Sequence, residues 1–370
     1  MTVNWSEGTV VSIERDEPDV QYVKVRRRSG ERVEKAIHYT DGQPPLQAGD
    51  DVILNTTAVD LSLGSGGYHF VAWKLNELLK PEPPLGHVMK LRYTPWQFAV
   101  LAVEEQASVH HDMLKHASDL GGMPVLAGEL HSMLPVLVAS LRHIARKNSF
   151  DLRIAYIMTD GAALPIKMSR HVKWLREHNW IVGTVTVGHA YGGDLEAVNI
   201  YSGLLAARYV LQADIAIVLM GPGIVGTGTA YGFTGIEQGQ IVNAVHALSG
   251  TPVVVPRISF ADERERHRGI SHHTITNVSR VMLRSTRIAL PQFENREWQD
   301  RIEKQVEGME DTDHDWVRVP LSTTELRERL RDYPYQITSM GRGLSEDPAF
   351  FIGVSCAADV AWTTIAGHRQ

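Results

Sequence analysis

Between residues 123 and 256, short continuous apolar runs alternate with stretches of helical spacing, and this pattern limits the possible folds more than any other feature. LRIAYIM at 152–158 and DIAIVLM at 214–220 show no alternation of polar and apolar side chains, so both faces of each strand must be covered. A half-solvated antiparallel strand would show a period of two instead. Continuous apolar strands joined by helices imply a mostly parallel, doubly wound α/β sheet with helices on both sides. Strands are expected at 88–93, 123–127, 152–158, 180–187, 214–220 and 251–256, the last closing the series. Helices are expected over 96–120, 132–146, 165–178, 195–211 and 235–248. The tail is less regular. It reads as a helix at 298–306, a helix opened by the capping-box pair Ser322 and Glu325, a strand at 335–338 and a final helix at 349–365.

Ahead of this region the pattern differs. Residues 9–13, 21–25, 51–55 and 68–73 are short and β-branched, with glycine turns between them. Their spacing implies a small antiparallel β-barrel over residues 1–80. KPEPP at 80–84 halts both strand and helix, so it separates that barrel from an α/β domain with a helical extension over 86–370. Arg26, Arg27 and Arg28 read as a solvated turn, because no aromatic residues are interleaved for base stacking.

Composition bounds the function. A net charge of −6 disfavours nucleic acid as a partner. The sequence shows no signal-peptide pattern and no apolar run near the roughly 20 residues that cross a bilayer. A cytoplasmic protein without a membrane partner is therefore expected. A homodimer is the expected assembly, since closed two-fold oligomers are the commonest. The single cysteine, Cys356, lies in an apolar helical stretch and reads as a packed side chain. The 17 histidines then become the main source of candidate metal ligands.

Open α/β sheets bind ligands outside the carboxyl ends of their strands. Glu129 and His131 follow the expected strand at 123–127, and Asp160 follows 152–158. His189 and Asp194 follow 180–187, while Arg257, Ser259, His267, His272 and His273 follow 251–256. Glu129, His131, Asp160, His189, Asp194 and His272 are the candidate catalytic groups. His189, Asp194, His272 and His273 are the candidate ligands of a divalent transition metal, since imidazole and carboxylate together suit zinc, iron or manganese. The run after 214–220 fits G-x-G-x-x-G, with Gly221, Gly223 and Gly226 followed by Thr227, Gly228 and Thr229. With Arg257 and Ser259, that run is the candidate site for an anionic or phosphorylated small molecule. His110, His111 and His116 fall within the expected helix at 96–120 and read as surface residues.

Four stretches carry a resemblance: MTDGAALP at 158–165, GHAYGGDLEAVN at 188–199, MGPGIVGTGTAYGFTG at 220–235 and RISFADERERHRGISHHT at 257–274. Through them the chain resembles, over nearly its whole length, a bacterial family catalogued as domain of unknown function 3866. The resemblance implies no reaction, substrate or cofactor. The residues themselves point to an intracellular enzyme, in its sharpest form a metal-dependent hydrolase of a small anionic substrate. The alternative is a metabolite-sensing or scaffold protein that uses the same pocket without turnover.

Overall fold

The computed structural model describes residues 3–79, 86–161, 164–309 and 313–367. The chain divides into two compact units, Met1–Pro83 and Pro84–Gln370. The proline-rich segment expected to separate them lies outside the described residues.

In the first unit, β1 (Trp5–Glu17), β2 (Val20–Arg27), β3 (Val33–Tyr39), β4 (Asp51–Asn55) and β5 (Tyr68–Lys74) close into a barrel, with α1 (Thr57–Asp60) between β4 and β5. The order is β1-β2-β3-β5-β4. All pairings are antiparallel except β3 with β5, which is parallel. The barrel is filled by inward residues at period two, among them Val23 and Val25 of β2 with Val52 and Leu54 of β4. β3 is not legible in the sequence pattern, because VEKAIHY carries charge at its outward positions. Of the arginine run, Arg27 pairs with Glu34 at 2.7 Å and Asp60 at 3.0 Å, and Arg28 pairs with Glu7.

The second unit opens with β6 (Val88–Lys90) paired to β7 (Phe98–Val100) as a separate antiparallel ribbon, followed by α2 (His111–His116). The helix expected over 96–120 is therefore limited to α2. The buried Glu105 carboxylate accepts from the amides of His87 at 2.6 Å and Ala102 at 3.1 Å, which folds this segment into turns. Backbone amides committed to a buried carboxylate are not available to a helix.

The main sheet is built from β8 (Pro124–Ala127), β9 (Ile154–Thr159), β10 (Gly183–Val187), β11 (Leu195–Ala197), β12 (Ile215–Met220), β13 (Thr251–Val254), β16 (Arg287–Gln292) and β17 (Asp315–Pro320). β14 (Ile258–Ser259) and β15 (Gly269–Ile270) form a small hairpin between β13 and β16. The sheet has eight strands, all parallel, in the order β11-β10-β9-β12-β8-β13-β16-β17. The run at 251–256 thus does not close the series, because β16 and β17 extend the sheet beyond it. Pro291 inside β16 and the charges of β17 concealed both strands. β11 occupies the start of the helix expected at 195–211, and 335–338 is irregular rather than a strand.

The connecting helices are α3 (Met133–Lys147), α4 (Arg170–Glu177), α5 (Ile200–Leu205), α6 (Glu237–Ala247), α7 (His272–Thr276) and α8 (Arg296–Glu307), followed by α9 (Thr323–Leu330) and α10 (Pro348–Gly367). Ser322 Oγ caps α9 by accepting from the Glu325 amide at 3.1 Å. One face of the sheet buries α3, α4, α9 and α10, and the other buries α5, α6, α8 and the turn that continues α7. α10 is long and apolar enough to cross a membrane by length and composition, which the sequence reading missed. Most of it is buried against α3 and the sheet, and a helix apolar on all sides is expected for such a core position. Cys356 is fully buried there, and burial pushes its thiol well above the usual range.

Right-handed crossovers explain which helix covers which face. α3 and α4 carry the chain toward the β11 edge, whereas α6, α7 and α8 carry it toward the β17 edge. Neighbouring strands β12, β8 and β13 therefore send their following helices to alternate faces. Their loops part at the carboxyl edge, and a crevice opens there.

Candidate functional site

Gln238, on α6 and 1% exposed, sets the floor of this crevice. Its Nε2 donates to the carbonyls of Ala127 at 2.9 Å and Val255 at 3.0 Å, tying together the ends of β8 and β13. Glu129 follows β8 and is 1% exposed. Arg257 follows β13, and the β14–β15 hairpin then presents Asp262, Arg264 and His267. Ser271 has extended backbone and caps α7, accepting from the His273 amide at 3.3 Å. His272 and His273 thus occupy the first turn of a helix that starts at the crevice.

Three imidazoles meet there. The His267 ring centroid lies 4.9 Å from His272 and 5.0 Å from His273, and the latter two are 4.4 Å apart. One ring nitrogen of each lies within 4.8 Å of those of the other two. Each flanking imidazole has a partner on its far side. His273 Nδ1 is 3.1 Å from Glu129 Oε2, and His267 Nδ1 is 2.8 Å from Ser271 Oγ. A carboxylate on Nδ1 holds the proton there and leaves Nε2 as a lone-pair donor. His272 Nε2 and Glu129 Oε1 are buried without a hydrogen-bond partner among the described residues. Orphaned buried polar atoms are uncommon, and this cluster holds two.

Burial and local charge favour the neutral forms of His267 and His272. Burial, the Arg257, Arg264 and His273 charges push His267 down to about 3. Burial, followed by His273 and Arg266, pushes His272 down to about 4. Arg257 is itself buried, 3.4 Å from Asp262 and 3.8 Å from Glu129. Burial opposes ionisation of Asp262, but hydrogen bonds from the Arg264 side chain and backbone, and the Arg264 charge, hold its carboxyl below the ordinary range. Arg342 extends the network to Asp262 at 3.6 Å and Asp347 at 3.4 Å.

The glycine-rich loop after β12 covers this cluster. The Phe233 ring stacks on His273 with centroids 4.0 Å apart and planes within 3°. Gly226 lies beside the same ring, where a Cβ would be 3.5 Å from His273 Nε2 and 3.7 Å from Phe233 Cβ. At Gly235 a Cβ would fall 2.5 Å from Glu129 Oε2, so only glycine leaves the carboxylate its place against His273. The loop is bonded mainly to itself. The Thr227 amide donates to the Gly232 carbonyl at 2.8 Å, Thr227 Oγ1 lies 3.0 Å from Thr229 Oγ1, and Gly226 bridges to Phe233.

The structure thus brings together Glu129, Arg257, His272 and His273 from the sequence-derived candidates. Gly226 lies against them, while Gly221 packs against Leu164 and Met158 instead. Gly223 and Gly228, with φ of 112° and 78°, shape the loop, and the Thr227 and Thr229 hydroxyls are engaged within it. Ser259 Oγ is committed to Asp347 at 2.6 Å and to the Asp262 amide at 3.1 Å. His131 has both nitrogens engaged, with Tyr156 at 3.0 Å and Ser169 at 2.6 Å, and is a packing residue of the opposite face. Asp160 lies at the end of β9 beside Gly188 and near Glu237, whose carboxyl is raised by burial and by the Asp160 charge.

His189 and Asp194 do not join the imidazoles. They follow β10, three strand spacings from β8, or roughly 14 Å. His189 Nδ1 accepts from the Leu91 amide at 3.1 Å. Asp194 accepts from the Thr184 amide and hydroxyl, both at 2.7 Å, and pairs with Arg176. Strand order is not legible in an alternating pattern, so the sequence placed these groups after a strand without fixing which neighbours they would have. His267, outside the expected metal set, is the further ligand candidate that the structure adds. Its position in the same post-strand loop as His272 was the available signal.

Fold and site together define an α/β protein whose parallel sheet, preceded by a closed five-stranded barrel, carries a histidine–carboxylate cluster at its carboxyl edge. Residues 35–358 match the family described as protein of unknown function, DUF3866, and the chain belongs to that family. No curated protein matches it.

Proposed function

We propose that this protein is a metal-dependent hydrolase of a small anionic substrate, with its centre at His267, His272 and His273. The convergence of three imidazole nitrogens within 4.8 Å carries this reading. Three neutral imidazoles with an open fourth position form a recurrent catalytic ligand set for zinc. A divalent ion held there would polarise a substrate oxygen or activate a water molecule. The protein's own groups prepare the place. Glu129 orients His273, Ser271 orients His267, and burial with nearby arginines keeps His267 and His272 unprotonated.

Charge supports an anionic substrate. Glu129, Asp262 and Asp347 are formally balanced by Arg257, Arg264 and Arg342 around the cluster. A divalent cation on neutral ligands would then leave the crevice positive, and buried positive charge attracts anions. Arg257 has only long contacts to its carboxylates, so its guanidinium retains capacity for a substrate oxyanion.

Elemental analysis of the full-length protein, as purified and after zinc or manganese loading, tests the reading. Stoichiometric metal that is lost in H272A and kept in H189A is the expected result. Protein that remains metal-free after loading, or H272A that retains wild-type metal, would refute it.

A further inference from the structure

A second feature lies along the helix that begins with the imidazoles. A cleft of about 1120 Å³ is bounded by the tip of the β12 loop at Tyr231, by Ile275, Ser279 and Arg280, and by Lys304 and Glu307 of α8. Ser279 and Arg280 lie on a π-helical turn, Asn277–Val281, that continues α7. Turns of this kind are frequent at functional sites, because they re-aim side chains within a helix. Arg280 and Lys304 are exposed and have no ion pair among the described residues. The imidazoles do not line this cleft, but one continuous helical segment, 272–281, carries His272 and His273 at its start and Arg280 near its end. His272 opens α7 and Arg280 stands eight positions later, which at 1.5 Å per residue is about 12 Å along the axis.

We propose that this cleft binds the body and remote phosphate of the substrate, with Arg280 and Lys304 on the phosphate and Tyr231 and Ile275 against an apolar or aromatic body. The proposal rests on the hydrolase reading for the reacting end, and narrows its substrate class to an organic phosphate monoester with a second reactive group about 12 Å away. Two cations from different helices suit the dianion of a phosphate better than a single carboxylate. The cavity is also larger than a bare anion needs, and slightly exceeds the roughly 300–1,000 Å³ of small-molecule sites.

Calorimetric titration of the full-length protein with phenyl phosphate tests this, with metal content measured on the same samples. Wild-type protein should bind phenyl phosphate, more weakly at high salt. R280A/K304A should bind it at least tenfold more weakly while taking up zinc as wild type does. H272A/H273A should lose zinc and keep phenyl phosphate. No binding to wild type, equal binding to R280A/K304A, or loss of binding only in H272A/H273A would each overturn the cleft assignment. If wild type takes up no zinc yet R280A/K304A still loses phenyl phosphate, the hydrolase reading fails and the cleft stands.

Discussion

Replacing Glu129 by glutamine isolates the role of one charge. The substitution keeps shape and volume in a position that is 1% exposed. Two consequences follow from its contacts. First, the carboxylate no longer fixes the proton on His273 Nδ1, 3.1 Å away. An amide offers both a donor and an acceptor, so part of the population places a proton on Nε2 and removes the ring as a ligand. Loss of such an outer-sphere partner costs roughly 10–100-fold in metal affinity, or about 1.4–2.7 kcal/mol. Second, Arg257 at 2% exposure loses one of its two nearest counter-charges, leaving Asp262 at 3.4 Å. Removing one partner of a buried ion pair costs up to about 3–5 kcal/mol, and with Asp262 still in place a smaller loss of stability is expected. Competition with a chromophoric zinc chelator measures the first effect and urea unfolding of the metal-free protein measures the second. Wild-type zinc affinity in E129Q, with folding intact, would refute the role assigned to Glu129.

Three further outcomes are expected. In G226A the added methyl enters the space 3.5 Å from His273 Nε2, so zinc uptake should fall while the urea midpoint of the metal-free protein stays near wild type; undiminished uptake would show that the metal does not lie on that side of the ring. Q238A leaves the buried Val255 carbonyl without its donor, at a cost of roughly 1–3 kcal/mol in chemical denaturation. Acid should destabilise the protein early, because burial and the His171 charge hold His131 at about 3, and burial lowers His38, His143 and His246. The unfolded chain takes up these protons first, so stability present above pH 6.5 is lost as pH falls toward the folded values; a urea midpoint that stays level from pH 7 to pH 5 would contradict this.

Much of this architecture is written locally. Runs such as 152–158 and 214–220 are apolar on both sides, and only a covered parallel sheet satisfies them. The barrel strands at 21–25 and 51–55 follow the period of two for the same kind of reason. The expectation of polar groups beyond the strand ends needed no more than the direction of a parallel strand. β16 escaped because Pro291 interrupts its pattern, and 96–120 misled because helical spacing says nothing of a buried carboxylate that claims the amides first.

Which of those polar groups meet is a long-range matter. Glu129 and His273 are 144 positions apart and touch because β8 and β13 are neighbours, although four sheet strands fall between them in the chain. His189 follows a strand just as Glu129 does, yet it lies three strands away. Periodicity reports how each segment partitions between water and core, a property of the segment alone. Adjacency depends on the order in which finished strands pack, and that is set by crossovers whose cost and handedness involve the whole sheet. The layers, the chemically equipped edge and the local trio of imidazoles therefore belong to the amino-acid order, while Glu129 and Phe233 reach that trio only once β12, β8 and β13 lie side by side.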